Sequence, residues 1–470
     1  MQVQAQIYEE WMEVMSDYST VFSEGRGVNN IVTDSFNALP HWEELPAGLG
    51  LGLSWNVLWT WSKPRIKMSH LLVWQRVNHY PDSKQLTRKD LLKKNVQRFT
   101  NMGGRYGAEF DIMPQTFELP HEYTAFVQAF TATEVLRGAY TNGTDAEQGA
   151  GQGQGQGRAQ TNTQNFWIMK PIGMSRGRGI SLVKDLSQIA YSSSSVVQRY
   201  VERPLTLQGY KFDLRLYVLV TSFRPLEAFI YRDGFARVST QPYTLAHDQT
   251  DNLFVHLTNS SIQCKNAQGP SRDNPLAEGD GERETGGTKI GLLGAYGLWA
   301  RLKAFGIDCD VLWGSICSLV LKSLVMVDDK MVHQDCCFEL FGYDVLIDAD
   351  LRPWLLEVNA SPSLARANQL DERVKNNVIR DIFGLLDPAP YDRAAVFRVL
   401  MRRLGNISKN RFSMGRNDPE LEKDLKDILG DWVPRRYGEV PGKMGDYQLL
   451  CPNTAEYLHV LKLKKKIIKT

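Results

Sequence analysis

From residue 165 the chain settles into short apolar runs separated by polar punctuation. "NFWIMKP" (165–171) and "SVVQRYV" (195–201) each predict a strand. "KFDLRLYVLVTS" (211–222) and "LEAFIYRDGFARVS" (226–239) follow as strands, with Arg224-Pro225 at the turn. "FELFGYDVLIDADLRPWLLEVN" (338–359) predicts a hairpin bent at Asp348-Ala349-Asp350. Residues 290–330 carry a helical pattern. In "QLTRKDLLKKNVQRF" (85–99), Thr87 is placed to cap a helix whose Leu91, Leu92, Val96 and Phe99 recur at helical spacing, with Asp90 three residues after the cap. Its basic face (Arg88, Lys89, Lys93, Lys94, Arg98) is expected to be solvated. Residues 1–110 otherwise mix tryptophans, prolines and short apolar runs without a clean motif. "TNGTDAEQGAGQGQGQGRAQTNTQN" (141–165) has no apolar surface to bury and predicts a disordered surface insertion. Residues 263–289 are loop-like, and beyond about residue 390 the chain turns polar and irregular.

Composition narrows the class. A length of 470 residues suggests about three domains. The hydrophobic share of 43% and charged share of 23% are those of an ordinary globular protein. A net charge of +2 gives no argument for nucleic acid. No run of about 18 apolar residues stands out, so no membrane span is expected. The start, "MQVQAQIYEEWMEV", is acidic and lacks an apolar signal core. Six cysteines without CxxC or zinc spacing point to a reduced, cytosolic compartment.

The candidate chemistry lies near the hairpin. Glu357 and Asn359 are two apart on a strand and share a side, and the bend sets Asp344 nearly opposite Glu357. Two carboxylates and an amide oxygen suit a hard cation such as magnesium. Strand-end charges paired to Arg352 would look the same. Lys211, Asp213 and Arg215 share one face of a strand, while Phe212, Leu214 and Leu216 take the other. Burying three charges requires mutual pairing or an anionic ligand, and both readings stay open. "GMSRGRGIS" (173–181) offers backbone N–H groups to an anion, yet it matches neither a P-loop nor a dinucleotide fingerprint. Lying between two strands with Lys170 just before it, it reads as a flap over a triphosphate.

These segments, with "YRDGFARVS", "FVHLTNSSIQ" and "EVNASPSL" in the same order, resemble the tubulin tyrosine ligase-like family over roughly residues 68–390. The resemblance implies an α/β ATP-grasp fold, with mixed and antiparallel sheets around a nucleotide cleft and an added N-terminal domain. It divides the chain into an N-terminal domain (1–110), a central domain (111–200), a C-terminal ATP-grasp domain (201–390) and an irregular tail (391–470). "VNHYPDSKQLTRKDLLKKN", "EVNASPS" and "GDYQLL" are most similar to the tubulin polyglutamylases.

By the same resemblance, Lys170, Arg176, Gly177, the stretch Gln198, Arg199, Tyr200 and Val201, then Lys211, Phe212, Asp213, Thr258 and Asn259 fall at ATP positions. Asp344, Glu357 and Asn359 fall at magnesium ligands, and Arg215 and Glu357 at catalytic positions. Arg176, Arg237, Ser260, Ser261, Lys289 and Lys375 fall at substrate positions, with Arg237 and Lys375 expected on the incoming L-glutamate. Four departures stand out: Ser260 follows "HLTN" where many relatives have tyrosine, "GGTKI" in place of "GGKW" leaves the register of Lys289 unset, Cys336-Cys337 replaces a His-Cys pair, and the first domain is poorly matched before residue 68. The implied reaction joins glutamate to a glutamate side chain of tubulin's acidic C-terminal tail through an acylphosphate, using ATP and Mg2+. Other readings are a ligase for another amino acid or another acidic tail, or a non-catalytic microtubule-binding subunit. Expected partners are tubulin, microtubules and accessory polyglutamylase subunits, with no nucleic acid and no membrane. The expected setting is cytoplasm and cytoskeleton, including the axoneme and basal body of a cilium or flagellum.

Overall fold

The computed structural model describes residues 19–23, 30–39, 42–45, 55–102, 104–144, 165–174, 177–189, 194–266, 288–332, 334–408 and 419–469. Four short strands open the fold: β1 (Ser19–Ser23), β2 (Trp42–Leu45), β3 (Val57–Trp59) and β4 (Arg76–Val77). They run parallel in the order β2-β1-β3-β4. Helix α1 (Asn30–Asn37) buries Ile31, Val32 and Phe36. Fully buried Asn56, just before β3, donates its amide N–H to the Ala389 carbonyl at 2.9 Å.

The helix expected over 85–99 is two helices, α2 (Lys84–Thr87) and α3 (Lys89–Met102), broken at extended Arg88. Thr87 does not cap; its hydroxyl donates back to the Ser83 carbonyl within α2. The basic face is solvated only in part: Arg88 and Lys94 are exposed, and all five cations are paired. Arg88, Lys89, Lys93, Lys94 and Arg98 pair with Asp90, Glu357, Glu122, Glu118 and Asp329 in turn. Four of those acids lie outside α3, which is why the sequence pattern of the helix could not show them.

A second sheet contains β5 (Thr116–Leu119), β6 (Trp167–Pro171), β7 (Ser181–Val183) and β8 (Ser195–Arg199), antiparallel in the order β5-β8-β6-β7. Helix α4 (Tyr123–Thr144) covers it, packing Phe126 and Phe130 against Trp167 and Val197. Residues 141–144 therefore belong to a helix. The rest of the expected insertion, 145–164, lies outside the described residues.

The largest sheet has eight strands and is organised by β10 (Tyr210–Phe223). A short β9 (Thr206–Leu207) pairs with its start. Along one edge, β10 pairs first with β12 (Phe235–Val238) and then with β11 (Leu226–Tyr231). The single run expected over 226–239 is thus two strands. Asp233 interrupts it, because its carboxylate accepts N–H bonds from Gly234, Leu292 and Leu293 and fixes a turn there. Strand β13 (Thr288–Gly291) extends the sheet beyond β12. Two small helices, α5 (Leu253–His256) and α6 (Ser260–Gln263), lie between β12 and β13 in the chain. On its other edge β10 pairs with β14 (Glu339–Ile347), which pairs with β15 (Pro353–Ala360) to make the expected hairpin.

Helices close both sides. On one face Phe212, Leu214, Leu216, Val218 and Val220 meet Leu312, Ile316 and Val320 of α8 (Cys309–Val325), which follows α7 (Leu298–Ala304). The stretch Cys309–Lys330 has the length and apolarity to cross a membrane, contrary to expectation; here 61% of its apolar 18-residue window is buried, as in a core helix. On the opposite face Tyr217 and Leu219 meet α9 (Gln369–Leu386) and the N-terminal Phe36 and Val57. The segment after 390 is not irregular. It forms α10 (Arg393–Ser408), α11 (Pro419–Leu429), β16 (Tyr447–Cys451) and α12 (Ala455–Lys469). Strand β16, built from the end of "GDYQLL", pairs with β11, and α12 buries Val460, Leu463 and Ile467. Apolar positions spaced between many charges carry this packing, which hid it in the sequence.

Candidate functional site

Register across the sheet assembles the charges. Asp213 of β10 lies opposite Arg237 of β12, and Arg237 lies opposite Lys289 of β13. Two residues further along β10, Arg215 lies opposite Asp344 of β14, which lies opposite Glu357 of β15. Directly opposed residues share a face, so six charged side chains and the metal-type Asn359 stand on one side of five strands. The pattern in "KFDLRL" foresaw two of them, Asp213 and Arg215, together with Lys211.

The salt-bridge reading and the ligand reading turn out to be compatible. Arg237 grips Asp213 with two bonds of 2.7 and 2.6 Å and reaches Asp344 at 3.0 Å. Arg215 donates to the two oxygens of Asp344 at 2.7 and 3.2 Å. Burial pushes the Asp344 carboxyl up, but the two arginines outweigh it and hold the group well below the usual carboxylate range. Glu357 pairs with Lys89 of α3 at 3.3 Å, not with Arg352, which binds Asp111. The Asn359 amide nitrogen donates to the Gly342 carbonyl at 3.2 Å, which orients its oxygen. Two carboxylates and an amide oxygen on adjacent strands match the donor set of a hard divalent cation.

An open cleft of about 820 Å³ separates this face from the second sheet. Lys170 on β6 donates to Gln198 Oε1 at 2.7 Å, and Gln198 donates to Thr116 at 3.0 Å. Burial, partly countered by Glu357, lowers the Lys170 ammonium to about 8. Lys211 donates to the Tyr200 hydroxyl at 2.8 Å and the His256 carbonyl at 2.9 Å. Burial drives it down to about 7, against the pull of Asp213. Tyr200 in turn meets His256 Nδ1 at 3.0 Å, and burial with Lys211 nearby lowers that imidazole to about 4. The imidazole is therefore neutral, accepting from Tyr200 and donating from Nε2 to the Gln249 carbonyl. Two buried, under-neutralised lysines beside an open cleft call for an anion.

Gly177 and Gly179 have φ of +71° and +69°, and a Cβ on Gly177 would sit 2.3 Å from Ile262 Cδ1. Glycine lets this loop lie against α6 beside Asn259. Arg176 lies outside the described residues. Val201, Thr258 and Asn259 line the cleft. Of the expected nucleotide residues, Phe212 is absent from the lining, while Arg199 is part of it with its guanidinium anchored elsewhere. Phe212 points into the core beneath β10. Arg199 reaches Thr133 at 2.8 Å and Glu202 at 3.5 Å on the far side of β8. Ser260 and Ser261 sit half-buried on α6, outside the lining.

Lys289 and Lys375 converge on Asp371, at 2.8 and 3.0 Å. Burial lowers Lys375 to about 8, although Asp371 raises it. Two cations on one carboxylate leave a positive surplus next to Arg237.

The family model described as the tubulin-tyrosine ligase family matches residues 65–395. The chain belongs to that family. It is 34% identical over 407 residues, 83% of this chain, to "Tubulin polyglutamylase TTLL5" of Homo sapiens, and covers 28% of that protein. It is 31% identical over 372 residues to "Probable alpha-tubulin polyglutamylase Ttll1" of Tetrahymena thermophila, covering 71% of this chain and 78% of that one. Similarity to "Tubulin monoglutamylase TTLL4" of Homo sapiens is 33% over 320 residues. The chain thus spans under a third of the length of the human TTLL5 protein. The matched region ends at residue 395, so most of α10 through α12 lies beyond it. Sequence reasoning missed Lys89 and His256. Lys89 was set aside as one of five solvated cations, and only its position one residue after a helix break distinguishes it.

Proposed function

We propose that this chain is the catalytic part of an ATP-dependent ligase that joins free glutamate to a glutamate side chain on the acidic tail of tubulin. One observation carries the reading. The Asp344–Glu357 register sets paired carboxylates on one cleft with two buried lysines of lowered pKa, Lys211 on the same sheet and Lys170 on the facing one. The family match and the polyglutamylase names of the relatives supply tubulin and glutamate.

Lys170 and Lys211 would meet phosphate oxygens of ATP, which supply the counter-charge that burial denies them. The Tyr200–His256 chain fixes Lys211 so that its ammonium is already aimed before the nucleotide arrives. Asp344, Glu357 and Asn359 would hold magnesium, which when bound neutralises charge on the transferring phosphoryl group. Arg215 adds positive charge at the same point, held in place by Asp344. The γ-phosphoryl group passes to the acceptor carboxylate, leaving ADP and an acylphosphate. The amine of glutamate then attacks the carbonyl carbon, the C–O bond to phosphate breaks, and the amine releases a proton as the amide forms. Arg237 is spent largely on Asp213, so the Lys289–Lys375 surplus is the stronger candidate for the carboxylates of the incoming glutamate. The substrate sets the place of action at microtubules, including those of axonemes and basal bodies.

Purified protein incubated with tubulin, ATP, magnesium and isotopically labelled amino acids, one at a time, tests this reading. Mass spectrometry should locate labelled glutamate on a tail glutamate side chain. Incorporation of a different amino acid, or none with any of them, would overturn it.

A further inference from the structure

Three sulfur atoms meet at the seam between the N-terminal sheet and β14. Cys336 Sγ lies 3.9 Å from Cys337 Sγ, and Cys337 Sγ lies 4.0 Å from Met68 Sδ. The Met68 carbonyl oxygen is also 3.9 Å from Cys336 Sγ. Three ligands placed about 2.3 Å from one centre, the length of a metal–thiolate bond, would stand about 4 Å apart. The two sulfur separations from Cys337 already have that size.

The surroundings hold the donors still. Val77 donates to the Cys336 carbonyl at 2.8 Å, and Phe338 donates back to the Val77 carbonyl at 2.9 Å. Tyr80 donates its hydroxyl to the Cys337 carbonyl at 2.8 Å. Cys337 is buried while Cys336 and Met68 are half-buried, so an ion has an approach from one side. The half-buried Arg76 on β4 acts electrostatically on both cysteines and offsets the negative charge of a thiolate pair. None of the three residues lines the nucleotide cleft. Among the described residues no three histidine, cysteine or carboxylate side chains gather as a metal site. Here the third donor is a thioether.

We propose that Met68, Cys336 and Cys337 form a site for a soft monovalent cation, Cu(I). Thiolate and thioether sulfur select soft ions, and three sulfur donors satisfy a trigonal cuprous ion. Loading would release the two thiol protons as the two copper–thiolate bonds form. Because Cys337 and Val77 bridge the N-terminal sheet to β14, a bound ion would also tie those layers together.

Anaerobic titration of the full chain with Cu(I) against the chromophoric chelator bicinchoninate tests the site. The expected result is one ion per chain, with X-ray absorption showing three sulfur neighbours. Changes behind a ligand commonly cost roughly 10- to 100-fold in metal affinity, so Cys336→Ser, which removes a ligand, should cost more. Met68→Leu should lower the affinity and leave two sulfur neighbours. Both positions are half-buried, and circular dichroism would confirm that each variant folds. Unchanged stoichiometry and affinity in both variants, no copper retained by the wild type, or tighter retention of Zn(II) than of Cu(I) would each overturn the proposal.

Discussion

Strand β10 has two halves that do opposite things on the same face. At its start Lys211 and Asp213 line the cleft and Arg215 grips Asp344 beside it; beyond residue 216, Tyr217 and Leu219 are sealed under α9 and the N-terminal layer. The other face is apolar along the whole length. A single continuous ladder therefore anchors charges by building them onto a strand whose second half is core. Charge of this density is held in place because the backbone beneath it cannot yield, which is what a preorganised site needs.

The most drastic test removes the charge with the least change of shape. Glu357→Gln should lower glutamate incorporation by at least about 100-fold, the scale of losing one electrostatic contributor to a transition state, while melting stays near wild type. Ligation at wild-type rate in limiting magnesium would remove Glu357 from the site. Asp213→Ala attacks the anchoring itself. It leaves buried Arg237 with Asp344 alone, and loss of one partner of a buried pair costs about 3–5 kcal/mol, readable in urea unfolding. A loss below about 1 kcal/mol would mean that Asp344 suffices. Leu219→Ala empties the sealed half and should cost about 2–5 kcal/mol, with nucleotide affinity of the folded fraction unchanged. If affinity falls with stability, the halves are not separable.

The smallest effect concerns pH. Lys211 has a folded value of about 7, against an unfolded value near ~10.4. Between those limits the unfolded chain binds a proton that the folded chain does not. Ligand-free stability should then rise with pH, by up to ~1.4 kcal/mol per unit from this group, and level off below pH 7. ATP affinity should run the other way, because phosphate favours the protonated ammonium. In Lys211→Met both slopes should shrink. Denaturation midpoints and calorimetric dissociation constants at several pH values give the comparison, and identical slopes in the two proteins would refute it.

Alternation in "KFDLRLYVLV" and the bend at Asp348 made this sheet and its charged face legible, since both are local in sequence. Pairing between distant segments was not. Arg237 is four residues from Asp233 in sequence, but Asp233 accepts three backbone N–H groups and pairs with Arg373, and the Arg237 fork meets Asp213 across the ladder. Lys89 and Glu357 meet only once α3 has been laid against β15. The C-terminal helices were hidden because their apolar residues are sparse and find partners far apart in the chain: Ala395 and Val396 of α10 meet Ile428 of α11 and Trp74, and α12 packs on α8.

The hydrogen bond from Asn56 to Ala389 spans 333 residues of chain. On a ribosome adding roughly 5–20 residues per second, the amide would wait about 15–65 s for its acceptor to be made. The first parallel strands then exist for that interval without the layer that covers them. Contacts of such long range also slow closure of the native topology. For this chain the hazardous moment is synthesis, when a strand-rich N-terminal segment stands exposed to chaperones and to copies of itself.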